Sequence, residues 1–175
     1  MWRDLPTGKN PPEEVNVIVE IVKGSRNKLE LDKKTGAIIL DRVLHKPFKY
    51  KWDYGFIPQT LSEDGDPADG LIIMEEATFP GVMVPVRPIG IMHMIDGGEQ
   101  DDKLICVPVK DPDSREITDI KHLSKAVITE MEYFFSNYKK KEGKVTSVTG
   151  FEDAAAAKSY IKDAIELYKK KKGKL

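Results

Sequence analysis

The chain has 175 residues, of which 40% are hydrophobic and 33% are charged, a balance typical of one globular domain with a sizeable core. Its formal net charge of −1 at pH 7 excludes the global basic field that draws proteins to nucleic acid or anionic lipid. No apolar run approaches the roughly 18 residues of a membrane span, and no leader pattern begins the chain, so we expect a cytoplasmic protein with a single domain over residues 1–175.

The first two-thirds of the chain predict short β-strands. Apolar residues alternate with other residues over positions 15–21 and 28–32. Further β-like runs cover residues 37–43, 71–74, 82–86, 89–95 and 104–109. Pro85 and Pro88 predict a bulge or a sharp bend where two of these runs meet. Several short strands with such breaks indicate a small closed or nearly closed β-barrel.

The last third of the chain predicts two helices. An apolar stripe over residues 127–138 has helical spacing, with Ser124 as the expected N-cap and Gly143 beyond the end. A second helix is expected after Asp153, and residues 145–149 between the helices could form a final strand. The lysines at 169–172 suit a solvated helix C-terminus.

The single cysteine, Cys106, lies in an apolar run and cannot form a disulfide within the chain, which fits a reducing compartment. No histidine is near it in sequence, so we expect buried strand packing rather than a nucleophile.

The segment 63–70 is the first of two acidic loops, and it places Asp64, Asp66 and Asp69 close together around a glycine and a proline. Carboxylates this close repel one another and need either water or a divalent ion such as Mg²⁺ or Mn²⁺. A solvated turn is the alternative, because Asp, Gly and Pro are common turn residues. A calcium-binding EF-hand is disfavoured, because Ala68 would occupy a ligand position and the flanks have strand patterns.

A second acidic loop, residues 96–103, could face the first and contribute Asp96 and Asp101. Side chains alternate between the two faces of a strand, so Lys28 and Glu30 lie on the same face of the strand over 28–32 and project into solvent or a cleft.

Cations and hydroxyls that could hold an anion occur at Arg42, Tyr138 and Lys139. Each has a structural alternative: Arg42 can form a surface ion pair with Asp41, Tyr138 continues the apolar helix stripe, and Lys139 suits a helix end.

Taken together, these motifs resemble family I soluble inorganic pyrophosphatases of the prokaryotic type. The run from Asp64 to Asp69 is similar to the family's D-G-D-P-x-D signature. Other matching segments follow in the family's order: 19–21, 28–30, 40–42, 54–57, 87–90, 96–103, 134–135, 138–139 and 150–152. The resemblance implies an α+β, mainly β fold, a five-stranded OB-like mixed β-barrel with two flanking C-terminal helices. It also implies a homo-hexamer.

The resemblance implies hydrolysis of pyrophosphate, taken up as a metal complex, with Mg²⁺ as cofactor and Mn²⁺ or Zn²⁺ as substitutes. Asp66 is the expected general base for the attacking water. The expected metal ligands are Glu30, Asp64, Asp69, Asp96 and Asp101; the expected phosphate contacts are Lys28, Arg42, Tyr54, Tyr138 and Lys139; and the expected supporting residues are Glu20, Tyr50 and Lys103.

The chain departs from the family pattern at two places. Residues 50–54 are Tyr-Lys-Trp-Asp-Tyr where the family usually has Tyr-Pro-x-Asn-Tyr, so Lys51 replaces the proline and Asp53 the asparagine. Gly70 replaces the apolar residue that usually follows the signature. We therefore expect a less rigid tyrosine loop and a missing packing contact at the start of the next strand.

Two other functions remain open from the residues. The first is a noncatalytic OB-like module that binds anions or nucleic acid, although such a module would favour a basic groove with aromatic side chains on its strands. A metal-dependent phosphomonoesterase or nucleotide pyrophosphatase is the other, and it would need a larger pocket.

Overall fold

Nine strands and two α-helices make up the computed structural model, which describes residues 1–174; Leu175, the last residue of the predicted domain, lies outside the described residues. The strands are β1 (Val15–Ile21), β2 (Asn27–Leu31), β3 (Ile38–Val43), β4 (Asp53–Phe56), β5 (Asp69–Ile72), β6 (Met83–Asp96), β7 (Glu99–Gln100), β8 (Lys103–Pro108) and β9 (Thr146–Glu152). The helices are α1 (Lys125–Asn137) and α2 (Ala154–Lys171).

Five strands close into a ring in the order β1, β4, β5, β8, β6 and back to β1. All pairings in the ring are antiparallel except β5 with β8, which is parallel. This ring confirms the predicted small, mixed, five-stranded fold with two C-terminal helices. Strands β7 and β9 extend the sheet from β6, and β2 and β3 form a separate hairpin.

Both helices begin where their capping residues predict. The Ser124 side chain accepts a hydrogen bond from the backbone N–H of Val127, and the Asp153 side chain accepts one from that of Ala156. Such caps satisfy amides that have no partner within the helix.

Each helix covers a different part of the core. Phe134 and Phe135 of α1 pack in one buried cluster with Ile105, whereas Ile161 of α2 packs in a second cluster with Val17 of β1. Because residues on both faces of β1 are buried, the strand is covered by packing on both sides. Within residues 1–174, no helix has the length and apolar character needed to cross a bilayer.

The strand expected over residues 82–86 and the one expected over 89–95 are a single strand, β6, whose 14 residues bend at a register shift between Pro88 and Gly90. The predicted bulge is therefore present, but it kinks one long strand rather than separating two. This continuity lets β6 pair with β1, β8 and β9.

Cys106 is fully buried in β8, as expected for strand packing. Burial raises the pKa of its thiol well above the usual value, because the charged thiolate would be desolvated. The thiol therefore stays protonated and unreactive.

A side chain of strand β1 occupies the space beside Gly70, where a packing contact was expected to be missing. A β-carbon at position 70 would lie 3.0 Å from Cγ2 of Val17. The valine methyl group therefore fills the space that a side chain at position 70 would take, and a glycine allows this approach.

Asp53 fixes the tyrosine loop, which was expected to be less rigid because it lacks the family's proline. Its carboxylate is fully buried and accepts hydrogen bonds from the backbone N–H of Lys23 at 2.7 Å and from that of Thr78 at 2.9 Å. The Thr78 hydroxyl donates a third bond at 2.5 Å. Asp53 thus joins the end of β1, the start of β4 and the loop after β5.

We expect Asp53→Ala to lower the free energy of unfolding by about 3 kcal/mol, because two backbone amides and a hydroxyl lose a charged, buried acceptor. Urea denaturation measures this change. Lys51→Ala is the matched control: Lys51 is exposed and pairs with Glu130 at 3.3 Å, so its removal should cost less than about 1 kcal/mol. Equal losses in the two variants would contradict a bracing role for Asp53.

Candidate active site

A cleft of about 350 Å³ lies between the β2–β3 hairpin and the two acidic loops. The cleft collects predicted site residues from distant parts of the chain. Those that line it are Glu20, Lys28, Glu30, Tyr50, Tyr54, Asp64, Asp66, Asp69, Asp96, Asp101, Lys103, Tyr138 and Lys139.

The parallel pairing of β5 with β8 brings together the residues at the centre of the cleft. Asp69 and Lys103 are the first residues of these strands and are register partners. Lys103 Nζ donates to Asp69 Oδ2 at 2.7 Å and also to the carboxylate of Asp101. The Tyr54 hydroxyl donates to the same oxygen of Asp69 at 2.5 Å.

Lys103 is a buried cation held between two carboxylates. Only 3% of its side chain is exposed, yet the pKa of its ammonium group is raised, because attraction from Asp69 and Asp101 outweighs the cost of burial. Lys103 is therefore a fixed charge that keeps the start of β5 and the second acidic loop together.

Two other lysines, the buried Lys139 and the half-buried Lys28, pair with cleft carboxylates. Lys139, just after α1, donates to Asp96 at the end of β6, and Lys28 pairs with Glu30 on its own strand. Burial lowers the pKa of Lys28, and repulsion from the nearby charge of Arg42 adds to the shift. The two lysines thus bring positive charge into the cleft beside its carboxylates.

Arg42 stands beside the cleft rather than in its lining. Its guanidinium bonds to the carboxylate of Asp41 at 2.6 Å and to that of Glu142 at 3.0 Å. Its Nη2 atom is buried and has no hydrogen-bond partner among the described residues. Arg42 reaches the cleft through its charge, which acts on Lys28.

Three carboxyl groups of the cleft lie in surroundings that disfavour their negative charge. Burial raises the pKa of Glu20 to about 8, and repulsion from Asp69 adds to the shift. Burial and neighbouring carboxylates also raise the pKa of Asp64. In Asp69, burial and repulsion from Asp101 raise the pKa despite the opposing effect of Lys103. A cation in the cleft would relieve this repulsion.

Three tyrosines of the cleft remain hydrogen-bond donors at all ordinary pH values. Burial raises the pKa values of Tyr50, Tyr54 and Tyr138 well above the usual value, and neighbouring groups such as Asp69 add to each shift. Their hydroxyls are therefore uncharged donors, and that of Tyr54 already donates to Asp69.

The donor set of the cleft fits a hard divalent cation. In residues 1–174, no group of three or more His, Cys, Asp or Glu side chains is arranged to hold a metal ion, and the carboxylates bond to lysines instead. Asp64, Asp69, Asp96 and Asp101 nevertheless offer only carboxylate oxygens in one cleft, and oxygen atoms are the ligands that Mg²⁺ and Mn²⁺ prefer.

Sequence reasoning missed Lys33 and Glu99, which also line the cleft. Lys33 lies in the turn between β2 and β3, where strand alternation no longer predicts direction. A signal was available for Glu99, because it lies within the second acidic loop, between Asp96 and Asp101.

Comparisons with known proteins agree with this geometry. The sequence profile of the family described as inorganic pyrophosphatase matches residues 17–169. The chain belongs to the inorganic pyrophosphatase family. It is 47% identical over 169 residues to an inorganic pyrophosphatase of Haloferax volcanii, covering 96% of each chain. It is also 47% identical over 167 residues to soluble inorganic pyrophosphatase 1 of Arabidopsis thaliana, covering 95% of this chain and 79% of the relative.

Solved structures of the inorganic pyrophosphatase family share the fold. The crystal structure of inorganic pyrophosphatase from Thermus thermophilus matches with a TM-score of 0.92 at 43% identity, covering 96% of this chain and 98% of that one. A structure from Helicobacter pylori matches with a TM-score of 0.91 at 37% identity. All of the predicted site residues lie within the segment that matches the inorganic pyrophosphatase profile.

We expect Lys103→Met to lower the free energy of unfolding by about 3 kcal/mol, because the half-buried carboxylates of Asp69 and Asp101 would lose the buried cation between them. Urea denaturation in the presence of a chelator measures the loss. Lys170→Met is the matched control, because Lys170 pairs with Glu166 at 3.8 Å in an exposed position. A Lys103 variant as stable as this control would contradict the structural role of the buried ion pairs.

Proposed function

We propose that the chain is a Mg²⁺-dependent inorganic pyrophosphatase that hydrolyses pyrophosphate to two phosphates. The observation that carries this proposal is a single cleft in which two acidic loops face Lys28, Lys139 and three tyrosines. Fully ionised pyrophosphate is a compact tetra-anion, and it can enter an acidic cleft only together with cations. Membership of the inorganic pyrophosphatase family supports the same reaction.

The proposed metal ligands are Asp64, Asp69, Asp96, Asp101 and Glu30. All five line the cleft, and the first two have carboxyl groups whose pKa values are raised by burial and neighbouring charge. When bound, divalent cations neutralise the substrate and lower the pKa of water from about 15.7 toward neutrality. Mg²⁺ is the proposed cofactor, and Mn²⁺ or Zn²⁺ could replace it.

Asp66 is the proposed general base. Its carboxylate lines the cleft but is 63% exposed, so it can be reached by water and can accept a proton from the attacking molecule. Glu20 supports this side of the cleft by accepting a hydrogen bond from the backbone N–H of Leu31 at 2.6 Å, which anchors the hairpin to β1.

The proposed phosphate contacts are Lys28, Arg42, Tyr54, Tyr138 and Lys139. The ammonium groups would act as point charges on the leaving phosphate, and the guanidinium could bond to two oxygens at once. Arg42 stands beside the cleft with 25% of its side chain exposed.

Tyr50 and Lys103 are proposed as supporting residues. The Tyr50 ring packs against those of Tyr54 and Tyr138, with centroid separations of 5.7 and 6.4 Å, and so fixes two phosphate-binding hydroxyls. Lys103 would keep Asp69 and Asp101 in place.

We expect the purified protein to release phosphate from pyrophosphate in the presence of Mg²⁺ and to lose this activity with a chelator. ATP and p-nitrophenyl phosphate serve as competing substrates, because a nucleotide pyrophosphatase or a phosphomonoesterase would cleave them. Faster release from either of these compounds than from pyrophosphate would contradict the proposed substrate. Absence of any Mg²⁺-dependent release would favour the noncatalytic binding module.

We expect Asp66→Asn to lower kcat roughly 10²-fold or more, because the amide cannot accept the proton that the carboxylate takes. Glu63→Gln is the matched control, since Glu63 is an exposed acid in the same loop that does not line this cleft. Steady-state phosphate release measures both variants. Near-normal turnover in Asp66→Asn would assign the base to another group.

The assembly and the compartment are also proposals. The chain is proposed to form a homo-hexamer, and exposed apolar side chains such as Leu40, Phe79 and Val145 offer surface for contacts between copies. Light scattering of the purified protein would test the hexamer by measuring the molar mass of the particle in solution. A single domain over residues 1–175 and a cytoplasmic location are proposed with it, since the one cysteine suits a reducing compartment.

A further inference from the structure

The tip of the β2–β3 hairpin places a lysine at the mouth of the cleft. The turn is ordered by Asp32, whose carboxylate accepts hydrogen bonds from the backbone N–H of Lys34 at 2.9 Å and from the Thr35 hydroxyl at 2.7 Å. Lys33 belongs to the described lining of the cleft, whereas Lys34 does not. The two adjacent lysines are therefore a natural pair for comparison.

Lys33 contacts the acidic loop at its tip. Its Nζ donates to Asp66 Oδ1 at 2.5 Å and to the carbonyl oxygen of Gly65 at 3.3 Å. The same nitrogen lies 5.5 Å from the centroid of the Trp2 ring. Trp2 is buried, and its indole N–H donates to the carbonyl oxygen of Thr60 at 3.0 Å, so the ring is a fixed surface for the ammonium group.

The acidic loop fixes its own backbone but not the carboxylate of Asp66. The backbone N–H of Asp66 donates to Asp64 Oδ1 at 2.9 Å, and the carbonyl oxygen of Asp66 accepts from the N–H of Ser62 at 2.7 Å. These bonds hold the turn closed at Gly65, which has a φ of 89°. The side chain of Asp66 extends beyond them and is met by Lys33 from the other side of the cleft.

Exposure separates Lys33 from the other cleft lysines. The side chains of Lys103, Lys139 and Lys28 are 3%, 10% and 15% exposed, whereas that of Lys33 is 39% exposed. A solvated ion pair of this kind is weak and contributes little to folding. It can still favour one orientation of a carboxylate that is otherwise free to rotate.

We infer that Lys33 is a positioning residue, which directs the Asp66 carboxylate into the cleft and holds the tip of the acidic loop from the hairpin. This inference rests on the proposed function, in which Asp66 is the general base. The weak pair predicts a partial effect on turnover rather than its loss, and substrate binding should change little because the ammonium group is engaged by Asp66.

The test compares Lys33→Met, Lys33→Arg and Lys34→Met by steady-state hydrolysis of pyrophosphate at saturating Mg²⁺. We expect Lys33→Met to lower kcat about fivefold to tenfold with KM changed by less than about twofold. Lys33→Arg should recover most of the turnover, because arginine can donate to Asp66 from the same turn. Lys34→Met should behave as the wild-type protein.

A second measurement follows the loop without turnover. In the metal-free protein, amide hydrogen exchange of Ser62 and Asp66 should be faster in Lys33→Met than in the wild-type protein and unchanged in Lys34→Met. Identical kcat and exchange in the Lys33 and Lys34 variants would overturn the inference. A change confined to KM would overturn it too, since Lys33 would then bind substrate phosphate. Faster exchange with unchanged kcat would leave only a loop contact and would also overturn the positioning role.

The proposed function is tested first and separately, by hydrolysis in the wild-type protein. Failure there would remove the reaction itself, before any variant is measured. Hydrolysis in the wild-type protein with no difference between the Lys33 and Lys34 variants would overturn only the inference about Lys33.

Discussion

Repulsion among carboxylates in a half-enclosed cleft is the constraint on which the rest of the site depends. Asp64, Asp69 and Asp101 lie near enough to one another for their charges to interact, and burial adds to the cost of the charges on Asp64 and Asp69. Lys103 compensates part of that cost at the base of the cleft. Because the lining holds eight acidic side chains and only four lysines, the cleft favours added cations and, with them, an anionic substrate.

The ring of strands converts this constraint into a fixed geometry. Parallel strands begin at the same edge of a sheet, so the pairing of β5 with β8 brings Asp69 beside Lys103 although 34 positions separate them in sequence. The hairpin lies outside the ring and carries Lys28 and Glu30 to the opposite wall. The acidic side of the site is thus tied to the sheet, whereas the opposing wall belongs to a separate element.

Local chemistry made much of this architecture predictable. The caps at Ser124 and Asp153, the buried strand around Cys106 and the acidic loop each follow from neighbouring residues. The pairing of strands that are distant in sequence could not be predicted from neighbouring residues. Strand β4 has only four residues and no clear alternation. Its first residue, Asp53, accepts hydrogen bonds from Lys23, 30 positions before it, and from Thr78, 25 positions after it. Residues in turns, such as Lys33, have a direction set by tertiary contacts, which strand periodicity cannot give.

The lysines of the cleft divide by exposure, and this division agrees with two different physical roles. A buried ammonium group such as Lys103 cannot leave its carboxylates without a large desolvated imbalance, so it maintains structure. An exposed one at the rim can exchange partners at little cost, because water replaces each lost contact. Asp66, the proposed general base, shares that exposed position, and such a base needs it, because it must meet water, take a proton and give it up again in each turnover. In the proposed mechanism the acidic loop holds negative charge at Asp69, beside Lys103, and leaves proton transfer to Asp66 at its exposed tip.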